Sequence, residues 1–315
     1  MNSTAAAALE VRGISKSFGS LKAVDDVSFA VGRGEICGFI GPNGAGKTTT
    51  MRICATLDLP DLGDVLVEGT SVIEEPRFAR RRLGFMPDSF GAYASTPIAH
   101  YLDFFARAYG LRGAARKETV GRVMEFTGLE AIAGHEIAAL SKGQKQRLCL
   151  AKTLLHDPSV LVLDEPAAGL DPRARVELRE LVKTLASMGK AVLVSSHILS
   201  ELSEMCHTIA MIDRGRLRAT GELATVARSV RPHVAVFVRT LAGEEKTERF
   251  LLERPGVANV RPEGKGLVFE FEGGDEGAAD LLEAAVRAGL KPVEFGVRGV
   301  DLEDLYLEIT EGRAS

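Results

Sequence analysis

Between an apolar run, Ile36 to Ile40, and a helix-forming run, Thr48 to Leu57, lies the stretch Gly41-Pro42-Asn43-Gly44-Ala45-Gly46-Lys47-Thr48-Thr49. It fits the phosphate-loop pattern G-x-x-x-x-G-K-[ST]. A loop that leaves a buried strand and enters a helix aims unpaired backbone N–H groups, and the positive end of the helix dipole, at one point. Glycines let the backbone approach a phosphate closely, Lys47 is placed to reach the β- and γ-phosphates, and the Thr48 hydroxyl is placed to ligate Mg²⁺. The same pattern alone also describes a glycine-rich strand-to-helix turn, so the flanking strand and helix carry the argument for a nucleotide.

Composition narrows what the nucleotide can drive. The 315 residues suggest about two domains, and 45% hydrophobic with 26% charged content is that of a soluble globular protein. From Glu222 onward the chain holds 18 acidic and 12 basic residues, against 25 and 27 before it, so neither part has the basic excess of a nucleic-acid-binding surface. The four cysteines (Cys37, Cys54, Cys149, Cys206) have no CxxC spacing and sit in or beside apolar runs, as free thiols of a reducing compartment do. The six histidines form no metal-ligand cluster. No apolar run reaches the roughly 18 residues of a membrane helix, and Met1 to Leu9 lacks the features of a secretory signal. The expectation is a cytosolic chain, or one held at a membrane by a partner.

Leu9 to Val11, Val24 to Val31 and Val65 to Glu68 read as short strands ahead of a parallel core, and Arg77 to Arg82 as a basic run on a short helix. After the strand Leu83 to Met86 and Pro87-Asp88, Thr96-Pro97 reads as an N-cap followed by proline at the first helical position. Ile98 to Tyr109 and Ala114 to Phe126 have helical spacing, which makes the stretch between Asp88 and Leu140 an all-helical insert. A third helix runs from Ser141 to about His156, and Val160 to Leu163 suits a strand buried on both faces. Asp171-Pro172 starts a helix to about Ser187, Ala191 to Val194 is another buried strand, and Asp213-Arg214-Gly215 joins a terminal hairpin. From His233 the pattern restarts as β-α-β-β-α-β, the order of a ferredoxin-like unit, followed by a helix from Leu302 to Thr310.

Asp164 and Glu165 end the buried strand at its carboxyl side, where open α/β sheets place ligands. In a P-loop enzyme the first carboxylate holds Mg²⁺ through its water shell and the second polarises the attacking water, because phosphoryl transfer needs positioning and charge neutralisation more than covalent help. His197 ends the next strand, where it either contacts a γ-phosphate and steadies Glu165 or supports the following helix. Ser141 and Gln144 form a capping box S-x-x-Q. With Lys142 and Gly143 beside them, this helix N-terminus is also a place for an anion, which suggests a nucleotide sandwiched between two subunits.

In their order these motifs resemble the nucleotide-binding subunit of an ATP-binding cassette (ABC) transporter. Gly41 to Thr49 matches Walker A and Val160 to Glu165 matches Walker B; Leu140 to Gln144 is similar to the signature LSGGQ, Ala168 to Pro172 to the D-loop with Asp171, and His197 to the switch histidine. Phe18 sits where the family stacks an aromatic on adenine, and the resemblance covers about Leu9 to Gly221. It implies a P-loop NTPase of ABC type over residues 1–221, a mixed-sheet α/β core with a helical subdomain at about 89–156, and leaves 222–315 as a small α+β, ferredoxin-like accessory domain. It further implies ATP and Mg²⁺, with Thr48, Asp88 and Asp164 near the metal and Glu165 as base. The implied assembly is a head-to-tail homodimer in which Ser141, Lys142, Gly143 and Gln144 face the partner's nucleotide.

Two positions depart from the family. Asp88 replaces the Q-loop glutamine, and Lys142 replaces the first signature glycine. Both resemble variants among ATPases paired with ABC-2-type membrane subunits, as does Leu302-Glu303-Asp304-Leu305-Tyr306-Leu307. The implied function is the ATPase of an exporter with a separate transmembrane permease subunit, peripheral on the cytoplasmic face of the membrane. The alternative is a non-transport ABC ATPase acting on ribosomes or DNA; a P-loop kinase or GTPase conflicts with the signature, D-loop and His197 together. No nucleic-acid partner is expected.

Overall fold

In the computed structural model the described residues are 7–88, 91, 94–196, 199–223, 225–226, 234–298 and 306. They divide into two compact units, 1–223 and 224–315. The first unit opens with a long hairpin, β1 (Leu9–Phe18) and β2 (Leu21–Val31), which joins β4 (Leu62–Val67) and β5 (Thr70–Ser71) in an antiparallel sheet of order β2-β1-β4-β5. The hairpin strands are longer than the apolar runs predict. Their alternation is interrupted by register shifts between Val11 and Ser17, and the Asp61 carboxylate secures the irregular end by accepting from the Ser17 N–H at 2.7 Å and from Lys16 Nζ at 3.0 Å.

The second sheet carries the site. It combines β3 (Ile36–Ile40), β6 (Leu83–Met86), β7 (Val160–Leu163), β8 (Ala191–Ser195), β9 (Thr208–Asp213) and β10 (Arg216–Glu222) in the order β10-β9-β3-β8-β7-β6. All neighbours are parallel except the edge strand β10. Every residue of β3, β7 and β8 is buried, which is why these strands read as unbroken apolar runs. The β9–β10 turn uses Arg214 and Gly215 at φ 50° and 79°, the left-handed pair a tight hairpin requires.

Helices flank the sheet: α1 (Lys47–Cys54), α2 (Pro76–Arg82), α5 (Lys142–Leu154), α6 (Pro172–Ser187) and α7 (Leu199–Ser203). The insert contains α3 (Ile98–Ala108), α4 (Gly113–Phe126) and two 3₁₀ turns, Glu130–Ile132 and Ile137–Ala139. Pro97 itself is the N-cap of α3, one position later than the sequence suggests, with no side-chain cap. The two stems of the insert meet at a bridge between Pro97 and Glu136, flanked by Ile98 N–H to His135 O (3.1 Å) and Ile137 N–H to Thr96 O (3.1 Å).

The second unit is β11 (Val234–Thr240), α8 (Glu244–Leu252), β12 (Val257–Glu263), β13 (Gly266–Phe271), α9 (Gly274–Arg287) and β14 (Pro292–Val297). Its sheet order, β12-β13-β11-β14, with every neighbouring pair antiparallel, is the split β-α-β arrangement of a ferredoxin-like fold. Val236, Val238, Leu267, Phe269 and Phe271 bury one sheet face with Phe250, Leu251 and Leu281 from the helices. The final helix expected at Leu302 to Thr310 lies outside the described residues apart from Tyr306.

Candidate nucleotide site

The loop between β3 and α1 is shaped by what cannot fit beside it. A Cβ on Gly41 would collide with the Ile212 carbonyl, and one on Gly46, whose φ is 105°, with the Ala23 carbonyl. The Gly215 N–H donates to Ala45 O at 2.9 Å, so the β9–β10 turn clasps the loop. Gly46 caps α1 without a side-chain acceptor, and the first turn of α1 holds no acidic residue. Its first N–H groups are therefore left for an external anion.

Lys47 is buried, and its ammonium donates to Gly41 O at 2.6 Å and Pro42 O at 3.1 Å. Burial lowers its pKa, opposed by the charges of Glu165 and Asp164. These two carboxylates stand at the end of β7, near the loop because β3 and β7 flank β8 in one parallel sheet. The Asp164 N–H donates to Met86 O at 2.8 Å, which draws the end of β6, and Asp88 beyond it, to the same edge.

Asp164 is almost fully buried. It accepts from the Ser195 hydroxyl at 2.7 Å and is hydrogen-bonded by the Thr48 side chain. Burial raises its pKa, the bonds from Ser195 and Thr48 pull it back, and the neighbouring charges of Asp88 and Glu165 push it up again. Glu165 has φ 47°, a left-handed conformation that costs a non-glycine residue roughly 1–3 kcal/mol. Its N–H donates to Ser195 Oγ at 2.9 Å. Ser195 thus fixes both carboxylate positions, a role sequence reasoning missed. The available signal was a hydroxyl ending a strand buried on both faces, where it must find partners.

Thr48, Asp164 and Asp88 offer hard oxygen donors of the kind Mg²⁺ takes. Among the described residues no group of three or more His, Cys, Asp or Glu side chains could hold a metal ion by itself. Mg²⁺ keeps waters and phosphate oxygens in its shell and needs few protein ligands. Phe18 ends the β1 strand, half-exposed beside Lys16, whose ammonium lies 5.7 Å from its ring centroid. His197 lies outside the described residues.

The remaining candidates are elsewhere in the unit. Ser141 caps α5 with a complete capping box: its Oγ accepts from the Gln144 N–H at 3.2 Å, and Gln144 Oε1 accepts from the Ser141 N–H at 2.9 Å. Asp171 caps α6 by accepting from the Ala174 N–H at 3.0 Å. Among the described residues no hydrogen bond, ion pair or ring contact joins Ser141, Lys142, Gly143 or Gln144 to the loop of Gly41 to Thr49. The loop and the start of α5 are therefore separate surfaces of the chain among the described residues.

Comparison with known proteins matches residues 24–168 to the family model described as ABC transporter. The chain is 34% identical over 303 residues to the Nod factor export ATP-binding protein I of Rhizobium sp. (strain N33), covering 96% of this chain and 97% of that protein. It is 42% identical over 213 residues to the probable multidrug ABC transporter ATP-binding protein YbhF of Escherichia coli (strain K12), covering 68% of this chain but only 37% of that longer relative. A solved ATP binding subunit of an ABC transporter superposes with a TM-score of 0.64 at 31% identity, over 70% of this chain and 92% of that one.

Proposed function

Because the chain belongs to the ABC transporter family of ATP-binding proteins, we propose that it is the ATP-hydrolysing subunit of a multi-subunit exporter whose membrane domain is a separate chain. The observation that carries this is the convergence of Lys47, Thr48, Asp164 and Glu165 at the carboxyl edge of one parallel sheet. The name of one relative, a Nod factor export ATP-binding protein, supports the direction of transport. Among the described residues no helix is long and apolar enough to cross a membrane, which fits a subunit docked at the cytoplasmic face on a permease.

The loop N–H groups and Lys47 bind the phosphates, and Phe18 stacks on the adenine. Thr48, Asp164 and Asp88 would hold Mg²⁺, which would supply charge neutralisation on the phosphates. Glu165 orients and deprotonates the attacking water, with Ser195 fixing its backbone. The separated surfaces meet between two copies: Ser141, Gly143 and Gln144 of one subunit close on the nucleotide held by the other, and Asp171 lines the same seam. ATP closes this homodimer, and hydrolysis opens it.

The test is to co-express the chain with candidate permeases and assay the purified complex. Magnesium-dependent ATP turnover is expected, with Glu165→Gln abolishing it and trapping an ATP-bound dimer on size exclusion. Normal turnover in that variant, or co-purification with ribosomes in place of a membrane protein, would sink the proposal.

A further inference from the structure

Lys142 is the first helical residue of α5, and α5 has no acidic side chain in its first turn. A cation at this end opposes the helix dipole, so the position itself gives no reason for a lysine. What the side chain touches does. A Cβ built on Gly169 would collide with Lys142 Nζ and stand 3.4 Å from its Cε and 3.8 Å from its Cδ, so the end of the lysine rests over that glycine. Gly169 has φ 65°, a conformation that favours glycine, and both it and Lys142 are exposed, so a Cβ there would strain the backbone and displace the end of the lysine. The next residue repeats the close fit: a Cβ on Gly143 would stand 3.0 Å from Ala174 Cβ. One turn further, Arg147 Nη2 donates to Glu177 Oε2 at 2.8 Å. The start of α5 thereby grips both α6 and the loop that feeds it.

That loop begins at Glu165. The strained backbone there persists only while its surroundings hold it. Upstream, Ser195 Oγ accepts the Glu165 N–H; downstream, the Ala168 N–H closes onto Glu165 O at 3.1 Å and Leu170 is buried. Between Ala168 and Leu170 the loop surfaces at Gly169, under the lysine. We propose that Lys142 is a positioning residue: with its end resting over Gly169, it clamps the loop of residues 166–170 against α5 within one chain and so keeps Glu165 in place. It sets turnover and not nucleotide affinity. The proposal rests on the reading of Glu165 as the base.

The experiment measures steady-state ATP hydrolysis by the full chain in wild type, Lys142→Ala, Lys142→Met, Gly169→Ala and the Lys142→Ala/Gly169→Ala double variant, with Glu165→Gln as control. Lys142→Ala should lower kcat about five- to tenfold with KM for ATP within about twofold. Lys142→Met, which keeps the stem without the charge, should stay within about twofold of wild type. Gly169→Ala evicts the lysine and should match Lys142→Ala, and the double variant should be no slower than either single. If Gly169→Ala fails to fold, the contrast between alanine and methionine at position 142 decides. A raised KM in both Lys142 variants, or additive losses in the double variant, overturns the clamp. Turnover that survives Glu165→Gln overturns the reading beneath it, and this control separates the two failures.

Discussion

The hydroxyl of Ser195, at the end of β8, donates to Asp164 Oδ1 at 2.7 Å and accepts the N–H of Glu165 at 2.9 Å, so one atom spans both carboxylate positions of the neighbouring strand. Ser195→Ala leaves a buried carboxylate and a backbone N–H each short of a partner. We expect a loss of about 1–3 kcal/mol in denaturant unfolding. Turnover should fall further than ATP binding, measured by nucleotide titration beside the activity assay.

Asp164 should make stability depend on pH in an unusual direction. Its folded pKa is raised, chiefly by burial, so the folded state holds this proton more tightly than the unfolded chain does. Stability is then lost as pH rises from the unfolded value near 3.9 up through the folded one. Asp164→Asn removes that loss. Without Mg²⁺ or nucleotide, its advantage over wild type in thermal melting should grow with pH above about 4, while its ATPase activity is abolished. An advantage that shrinks over that range would contradict the assignment.

Gly46→Ala combines φ 105° with a clash against the Ala23 carbonyl, a backbone atom that cannot swing aside. The variant should lose about 1–3 kcal/mol of stability and most of its ATP affinity, read by melting with and without Mg-ATP. Gly44→Ala is the control: its φ is 79°, but nothing lies within 4 Å of the added Cβ, so its cost is conformational only.

Burial pushes the thiols of Cys37 and Cys54 up to about 12 and that of Cys149 to about 11. At pH 8 only about one part in 10³ to 10⁴ of each is thiolate. Iodoacetamide should therefore leave these three cysteines unmodified in the native protein and label them on unfolding, as peptide mass spectrometry can score.

Much of this arrangement was legible in the sequence where local chemistry and burial agreed. The α6 boundaries, Pro172 to Ser187, follow from Asp171 as cap and Pro172 at the first position. The Ser141–Gln144 capping box needs only neighbouring residues. The hairpin β1–β2 was read short because Gly13, Ser15 and Lys16 break its alternation, while the Asp61 contacts that hold its far end come from a distant loop. Ser195 was opaque for a related reason: its partners lie on another strand. The family resemblance places the Lys142 charge near a γ-phosphate, whereas within one chain its side chain lies on Gly169, a contact that no motif encodes.

The paired stems of the helical insert have a mechanical consequence. Ala94, Thr96, Pro97 and Ile98 on the way in are zipped to Ala138, Ile137, Glu136 and His135 on the way out, with Ala138 N–H to Ala94 O at 2.8 Å completing the seam. A lobe mounted on two loose strings would transmit force separately along each. This one stands on a single two-ply post, with Asp88 up-chain of its foot and Ser141 down-chain. A push on the lobe therefore moves both stems together, as one displacement in place of two.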